Sequence, residues 1–161
     1  MKVAIFPGSF DPITVGHEDI VKRALGIFDQ IIIAVGINNQ KSTLFSLEQR
    51  ISWLKETFRE FPNVKVDYFE GLTAHYAAKI GAKYLLRGLR NASDFDYEKT
   101  ISQMNHIVGL GQIETVFLIS QPEFSHISST IVREIIKGNA DVSPFVPSAI
   151  RSNLSQIAYN Q

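Results

Sequence analysis

Five short apolar runs alternate with segments of helical spacing, and this alternation restricts the chain to very few folds. Short apolar runs bounded by polar, glycine or proline residues are typical of buried parallel strands. Alternation of such strands with helices predicts a parallel sheet covered on both faces, with right-handed crossovers. The runs are Val3–Phe6, Gln30–Gly36, Val64–Phe69, Tyr84–Leu86 and Thr115–Ile119.

The segments between the runs carry helix signals. Ser46 followed by Gln49 has the pattern of a capping box at a helix start. A long helix is predicted over Ser93–Val108, with three apolar residues expected to face the sheet. These residues are Ile101, Met104 and Val108.

Length and composition fit one doubly wound domain. The chain has 161 residues, no cysteine and no linker, repeat or low-complexity stretch. We therefore expect a single α/β domain over residues 1–161, with a five-stranded, Rossmann-like parallel sheet. The absence of cysteine excludes disulfides, thiolate zinc sites and cysteine nucleophiles.

Charge and hydropathy exclude two classes of partner. Lys plus Arg is 16 and Asp plus Glu is 16, which argues against a protein that coats nucleic acid by bulk charge and against a polybasic membrane anchor. No apolar run reaches the roughly 18–20 residues of a membrane span, and the first residues lack a signal-peptide pattern. We expect a cytoplasmic protein with neither nucleic acid nor a membrane as partner.

Most of the unusual residues follow the predicted strands. Open parallel sheets bind ligands outside the carboxyl ends of their strands, so the five segments that follow the strands locate the expected site. The segments are Pro7–His17, Ile37–Leu44, Glu70–Thr73, Arg87–Ala92 and Ser120–Thr130.

The first segment contains two glycines and ends at His17. It matches neither the G-x-G-x-x-G dinucleotide fingerprint nor the P-loop. Its glycines still allow backbone amides to approach a phosphate. His17 falls in the first turn of a helix, where the dipole and free N–H groups favour anions. An ordinary loop with a surface histidine is the alternative.

The fourth segment begins with two arginines, Arg87 and Arg90, on either side of Gly88 and Leu89. Two guanidinium forks at a strand end suit phosphate, and a pair of surface salt bridges is the alternative. Downstream, Asp94 and Glu98 share a helix face, where acidic residues also stabilise a helix start.

The fifth segment ends in three hydroxyls, Ser128, Ser129 and Thr130. N-capping explains one of them, while a hydroxyl-rich helix start also binds anions. Lys41 in the second segment is a lone loop lysine. The remaining histidines have no partners at ligand spacing, so no protein-bound metal is predicted. Together the segments predict a nucleotide or polyphosphate site and leave the reaction open.

Several motifs resemble a known family. Gly8–Pro12 with Thr14–His17 resembles the T/H-x-G-H signature of the nucleotidylyltransferase superfamily, and Ile127–Thr130 resembles its I-S-S-T signature. Arg87–Arg90 followed by Glu98 is similar to bacterial phosphopantetheine adenylyltransferases. That resemblance covers nearly the whole chain.

The resemblance implies transfer of the adenylyl group of ATP to 4′-phosphopantetheine, giving dephospho-coenzyme A and pyrophosphate. It implies Mg²⁺ arriving with ATP, a homohexamer, and coenzyme A as a feedback inhibitor. The acceptor phosphate is already an anion near pH 7, so we expect direct in-line displacement without a general base.

The same resemblance implies roles for individual residues. His17 would stabilise the transition state, and Lys41 and Arg87 would hold the attacking phosphate. The substrate site would comprise Ser9, Lys41, Thr73 and Arg87. The nucleotide site would comprise Ser9, Phe10, His17, Gly88, Leu89, Arg90, Glu98, Phe124, Ser125, His126, Ile127, Ser128, Ser129 and Thr130.

Three positions depart from the family pattern. Ser9 stands where many members have Thr, Phe124 where Trp or Tyr is common, and Thr73 where an apolar residue can occur. Two alternatives stay open at this point. One is a related transferase acting on nicotinamide mononucleotide or a phosphoglycerol-type acceptor. The other is a nucleotide-binding regulatory domain without turnover.

Overall fold

The computed structural model describes residues 1–158, so residues 159–161 of the predicted 1–161 domain lie outside the described residues. All five strands are parallel and form one sheet in the order β3-β2-β1-β4-β5. The predicted α/β fold with a doubly wound five-stranded sheet is confirmed. The strands are β1 (Val3–Gly8), β2 (Gln30–Ile37), β3 (Val64–Glu70), β4 (Tyr84–Leu89) and β5 (Glu114–Ile119).

Helices follow each strand and flank the sheet on both faces. Two short 3₁₀ turns, Ser143–Phe145 and Ser148–Ile150, lead into the last helix. The helices are α1 (Val15–Ala24), α2 (Leu47–Thr57), α3 (Thr73–Ile80), α4 (Ala92–Val108), α5 (Ser129–Lys137) and α6 (Arg151–Ala158). Within residues 1–158, no helix has the length and apolarity that a membrane crossing requires.

The core divides between the two faces of the sheet, as the alternation of side chains along a strand requires. Ala4 and Phe6 of β1 join the larger cluster, which also holds the buried apolar residues of α1, α2 and α5. Ile5 between them joins a smaller cluster with Ala74 and Ala77 of α3.

Helix α4 contributes little to either cluster. Its single buried residue is Glu98, and Met104 and Val108 are 57% and 37% exposed. The expectation that these two residues face the sheet is therefore wrong, whereas Ile101 is partly buried. The apolar stripe of α4 points outward because the helix presents its polar face, with Glu98, to the end of β4.

Candidate active site

The sheet opens between β1 and β4. Strand β1 pairs with β2 along its whole length, from Val3 to Gly8, but pairs with β4 only at Ala4 and Ile5. The strand order also reverses between these two strands, and such switch points are where open sheets bind ligands. Pro7 has no N–H for a ladder, which suits the position where β1 leaves β4.

Arg87 and Gly88 belong to β4 itself. The sequence placed them in the segment after a strand ending at Leu86, but β4 continues because it pairs with β5 as far as Leu89 and Ile119. The predicted strand end is therefore corrected by three residues. Arg87 is consequently held on a paired strand rather than on a loop.

Arg87 is fixed through all three nitrogens of its guanidinium, by two partners. Its Nε donates to Glu98 Oε2 at 2.8 Å, and its Nη2 donates to Glu98 Oε1. Its Nη1 donates to the carbonyl oxygen of Pro7 at 2.8 Å. A bidentate pair of this kind adds geometric specificity as well as energy. The guanidinium thus bridges the gap between β1 and β4.

Arg90 has its own carboxylate partner. Asp94 Oδ2 accepts from the backbone N–H of Arg90 at 3.0 Å and from its Nε at 3.1 Å. Asn91 caps α4, since its Oδ1 accepts a hydrogen bond from the Asp94 N–H at 2.9 Å. Both arginines are therefore ion-paired to carboxylates in the first two turns of α4, as the alternative of a salt-bridge pair predicted. Both still line the cavity described below.

His17 closes a capping box at the start of α1. The backbone N–H of Thr14 donates to His17 Nδ1 at 3.0 Å, and Thr14 Oγ1 accepts from the His17 N–H. An acceptor Nδ1 carries no proton, so the neutral ring has its hydrogen on Nε2. The box therefore fixes both the orientation of the ring and its tautomer.

The imidazole of His17 is neutral at physiological pH. Burial, together with the positive charges of Arg87 and then Arg90, lowers the pKa of His17 from 6.5 to about 4. A neutral imidazole donates one hydrogen bond from Nε2–H and cannot take a proton readily near pH 7. The ring can therefore stabilise negative charge as a hydrogen-bond donor.

The ring of Phe10 packs against the imidazole of His17. The ring of Phe10 contacts those of His17 and Phe6 edge to face, with centroids 5.0 and 5.5 Å apart. A Cβ on Gly8 would lie 3.0 Å from the Phe10 ring, so a residue larger than glycine would displace it. Phe10 is buried, and its aromatic contacts hold the first segment in place.

All three hydroxyls at the start of α5 have partners. Ser128 Oγ caps the helix by accepting from the Ile131 N–H at 3.2 Å. Ser129 Oγ donates to the carbonyl of Pro12 at 2.7 Å. Thr130 Oγ1 accepts from Arg133 Nη2 at 3.2 Å. Capping thus explains one hydroxyl, Ser129 ties α5 to the first segment, and Thr130 binds Arg133 within α5.

A first cavity of about 350 Å³ lies at the carboxyl ends of β1 and β4, where these two strands separate. It brings together residues of the first, fourth and fifth segments with the start of α4. The predicted nucleotide residues that line it are Ser9, Phe10, His17, Gly88, Arg90, Glu98, Phe124, Ile127, Ser128, Ser129 and Thr130.

A second cavity of about 310 Å³ adjoins the first. Its wall includes Thr73 at the start of α3 and Ile101 of α4. Three predicted site residues line both cavities, and Pro7 and Gly8 do so as well. The three are Ser9, Arg87 and Glu98.

Four predicted site residues lie outside these two linings, namely Lys41, Leu89, Ser125 and His126. Lys41 is exposed, in a turn closed by a bond from its N–H to the Asn38 carbonyl at 3.1 Å. Asn38 itself lines the second cavity. The contacts proposed for all of the site residues with ligands stay predictions.

Sequence reasoning gave no individual role to three residues that hold the site together, although Asp11 and Thr14 lie within the matched motif. Thr14 gives His17 its tautomer, and Asp11 and Arg50 bind backbone groups of the first and second segments. Thr14 and His17 have the spacing of a capping box, which was a readable signal. Asp11 and Arg50 make their contacts across large distances in sequence, so no local pattern reveals them.

Comparison with known proteins decides the family. Residues 5–135 match the family model described as Cytidylyltransferase-like. A phosphopantetheine adenylyltransferase of Flavobacterium psychrophilum is 51% identical over 151 residues, which are 94% of this chain and 99% of that protein. The chain belongs to the phosphopantetheine adenylyltransferase family. The resemblance in the sequence motifs is thereby confirmed.

Other phosphopantetheine adenylyltransferases are similar over comparable lengths. The protein of Limosilactobacillus reuteri is 45% identical over 156 residues, covering 97% of this chain and 90% of that protein. Among solved structures, a bifunctional NMN adenylyltransferase/ADP ribose pyrophosphatase from Francisella tularensis superimposes with a TM-score of 0.75 at 16% identity. The match covers 99% of this chain and 50% of that one. A putative nicotinate-nucleotide adenylyltransferase from Vibrio parahaemolyticus gives 0.68 at 18% identity, covering 99% and 93%. These structures share the fold.

Proposed function

We propose that this chain transfers the adenylyl group of ATP to 4′-phosphopantetheine, producing dephospho-coenzyme A and pyrophosphate. The observation that carries the proposal is the common wall of the two cavities, where Ser9, Arg87 and Glu98 line both. ATP in the first cavity and the acceptor in the second would meet at this wall. Membership of the phosphopantetheine adenylyltransferase family supports the choice of acceptor.

The nucleotide would occupy the first cavity. Its α-phosphate would lie near His17, whose Nε2–H is free to donate because Nδ1 is engaged by Thr14. Amides at the starts of α1 and α5 add the favourable end of two helix dipoles. Arg90 would contribute positive charge from the end of β4, and Phe124 an aromatic face at the rim.

The acceptor would occupy the second cavity. Arg87 would hold its phosphate with the N–H groups that Glu98 and Pro7 leave unused, since Nη1 and Nη2 each carry two hydrogens. Lys41 would approach from the exposed turn next to Asn38. Thr73 would line the pantetheine arm at the start of α3.

The reaction would be a single in-line displacement. An oxygen of the phosphopantetheine phosphate forms a bond to the α-phosphorus of ATP. The bond from that phosphorus to the bridging oxygen of the leaving group breaks, and pyrophosphate departs with the electron pair. The attacking oxygen is anionic near pH 7, so no residue removes a proton. Positioning and charge stabilisation supply the rate enhancement.

Mg²⁺ would arrive with ATP. Within residues 1–158, no three His, Asp or Glu side chains converge into a metal site, and Asp94 and Glu98 at the cavity are paired with Arg90 and Arg87. These carboxylates suit the arginines better than a metal ion, so the triphosphate would supply the ligands of the ion. When bound, the ion neutralises charge on the phosphates.

The proposed reaction is tested by pyrophosphate release from ATP with a panel of acceptors. We expect release with 4′-phosphopantetheine and none with pantetheine, which lacks the phosphate, or with nicotinamide mononucleotide. Faster release with nicotinamide mononucleotide would overturn the proposed acceptor. Absence of release with every acceptor would favour a regulatory domain without turnover.

Coenzyme A would inhibit the enzyme by occupying both cavities, because it differs from the proposed product by one phosphate. We expect added coenzyme A to raise the KM for 4′-phosphopantetheine. Unchanged kinetics with saturating coenzyme A would overturn this regulation.

The chain would assemble as a homohexamer. Helix α4 and its C-terminal turn expose an apolar surface, including Ile107 at 73% exposure, and exposed patches of this kind mark interfaces. The large apolar residues exposed there are Phe95, Tyr97, Met104, Ile107, Val108 and Leu110. Light scattering should give six times the chain mass of 18.1 kDa, and Ile107→Glu should reduce it. A monomeric wild type would contradict this assembly.

We place the enzyme in the cytoplasm, with neither nucleic acid nor a membrane as partner. The proposed reaction needs ATP, which the cytoplasm supplies. The chain has 16 basic and 16 acidic residues, and this balanced charge also supports the proposal. Fractionation of the native host, followed by detection of the chain, tests it. Recovery in the membrane fraction would contradict it.

A further inference from the structure

Asp11 is a carboxylate buried almost completely under the first segment, at 3% exposure. Its Oδ2 accepts from the Leu44 N–H at 2.8 Å and its Oδ1 accepts from the Phe45 N–H at 2.9 Å. Both donors are backbone groups, so these bonds fix the path of the main chain whatever side chains residues 44 and 45 carry. The carboxylate therefore joins the first segment to the end of the second.

Arg50 joins the same two segments a second time. It is 5% exposed, its Nη1 donates to the Ser9 carbonyl at 2.7 Å, and its Nε donates to the Phe45 carbonyl at 3.2 Å. Buried charges of this kind are costly unless fully hydrogen-bonded. Two such residues on one junction indicate that its geometry is tightly held.

This junction, where Leu44 and Phe45 are bound to Asp11 and Arg50, is the C-terminal end of the segment that carries Lys41. Residues 38–43 are exposed, and they run from the end of β2 at Ile37 to the anchored amides of Leu44 and Phe45. Lys41 can therefore reach the second cavity only from a segment whose far end Asp11 fixes. Ser9, which lines both cavities, lies two residues before Asp11 on the other side of the junction.

The opposite side of the same turn is held through backbone carbonyls. Arg133 Nη1 donates to the carbonyl of Asp11 at 2.8 Å, and Ser129 Oγ donates to that of Pro12 at 2.7 Å. These bonds connect the turn to α5 on the nucleotide side. Asp11 Oδ2 also lies 3.9 Å from Arg133 Nη1, but both hydrogen bonds of the carboxylate go to the backbone at the end of the Lys41 segment, and the backbone carbonyl of Asp11 is bound on the nucleotide side.

We propose that Asp11, assisted by Arg50, is a positioning residue that sets the place of Lys41 relative to Ser9 for the acceptor phosphate. This inference rests on the function proposed above, in which Lys41 holds that phosphate. It predicts that the side chain of Asp11 acts through Lys41 and selectively on the acceptor.

The test is a double-mutant cycle on kcat/KM for 4′-phosphopantetheine with Asp11→Asn and Lys41→Ala. An amide keeps the shape of the carboxylate but can accept only one of the two backbone N–H groups with its oxygen. We expect Asp11→Asn to lower kcat/KM for the acceptor by about 10–100-fold, the scale of a small misplacement, and to leave the KM for ATP nearly unchanged. In the Lys41→Ala background the same substitution should have almost no further effect.

Equal losses from Asp11→Asn in both backgrounds would overturn the proposal, because the residue would then act independently of Lys41. A parallel rise in the KM for ATP would also overturn it. A wild type that releases no pyrophosphate would instead refute the proposed function. An active wild type with a fully active Lys41→Ala variant would refute the phosphate-holding role of Lys41 and with it the positioning role of Asp11, and would leave the proposed reaction intact.

Arg50→Lys gives a second route if Asp11→Asn does not fold. Lysine keeps the charge but cannot reach both carbonyls with a fork, so the same selective loss is expected, again only with Lys41 present. Arg59→Lys, on an exposed arginine, and Asp141→Asn, on an exposed aspartate, are matched controls that should leave the kinetics at wild-type values. A fully active Arg50→Lys variant would contradict the proposal.

Discussion

Both carboxylate oxygens of Glu98 face the Arg87 guanidinium, one on Nε at 2.8 Å and the other on Nη2. The family resemblance assigned Glu98 to the nucleotide, but its hydrogen-bonding capacity is directed to the arginine. Glu98 also lines both cavities. Glu98 is therefore placed to hold the orientation of the Arg87 guanidinium at the wall that ATP and the acceptor would share.

We predict that Glu98→Gln weakens use of the acceptor more than use of ATP. The glutamine amide has one neutral oxygen, whereas Glu98 accepts from two N–H groups of Arg87 with two charged oxygens. The guanidinium therefore loses its fixed orientation. The KM for 4′-phosphopantetheine should rise about tenfold, the scale of one charge-assisted hydrogen bond, while the KM for ATP changes little. Glu134→Gln, in an exposed pair with Lys137, is the control. A larger effect on ATP would assign Glu98 to the nucleotide.

We predict that replacing His17 lowers kcat without unfolding the chain. His17→Ala removes both the Nε2–H donor and the capping bond, whereas His17→Gln retains a residue that can complete a capping box. Both variants should lose at least about 10²-fold in kcat, the scale of one preorganised donor. His17→Gln should keep a Tm closer to that of wild type. Near-normal turnover by either variant would contradict the role of His17.

The lowered pKa of His17 predicts how stability depends on pH. The ring has a pKa of about 4 when folded and an ordinary value of 6.5, so between these values the unfolded chain binds more protons. This contribution to stability is complete above pH 6.5 and is lost as the pH falls towards 4.

Urea denaturation at pH 7 and pH 5 should therefore show a larger loss in wild type than in His17→Gln. The difference in the free energy of unfolding should be roughly 1–2 kcal/mol, because the variant lacks the titrating ring. Other ionisable groups cancel in the comparison. Identical losses in the two proteins would show that the pKa of His17 is not lowered by folding.

Gly109 and Gly138 give a prediction about packing. Each follows a helix with nearly the same backbone conformation, φ −81° and −80°. A Cβ on Gly109 would lie 2.6 Å from Ile113 Cδ1 and 2.9 Å from the Asn105 carbonyl oxygen, whereas one on Gly138 meets nothing closer than 3.5 Å. Gly109→Ala should lower the free energy of unfolding by about 1–3 kcal/mol, and Gly138→Ala far less. Equal effects in urea denaturation would contradict this packing.

Much of the fold is readable from local patterns. The five strands are short apolar runs between breakers, and each was placed within a few residues of its observed bounds. The end of β4 was missed because Arg87 and Gly88 have the local composition of a loop. Their strand conformation depends on pairing with β5, which local sequence does not report.

Helix α4 shows a second limit of such patterns. Helical spacing predicts which residues share a face, but it does not say whether that face meets the sheet or the solvent. Met104 and Val108 share the apolar stripe and lie outward, because Glu98 directs the polar face towards Arg87.

The location of the site could be predicted from the sequence, but the residues that hold it in shape could be predicted only in part. The segments after the strands do converge on the two cavities, since parallel strands end at one edge of the sheet. The supporting roles of Asp11 and Arg50 were not predicted because their partners lie far along the chain, from Asp11 to Leu44 and from Arg50 to Ser9. A buried carboxylate of this type is recognised only from the fold.

Isotope exchange between pyrophosphate and ATP tests the central claim most directly. In a direct displacement across the shared wall, pyrophosphate forms only when the acceptor attacks. In the described site no side-chain base accepts a hydrogen bond from the hydroxyls of Ser9, Ser128, Ser129 or Thr130, as their activation as nucleophiles would require. With enzyme, Mg²⁺, ATP and labelled pyrophosphate alone, we predict no exchange of label into ATP. Exchange should appear when dephospho-coenzyme A or 4′-phosphopantetheine is added. Robust exchange with both compounds rigorously removed would contradict direct transfer and require an adenylyl-enzyme.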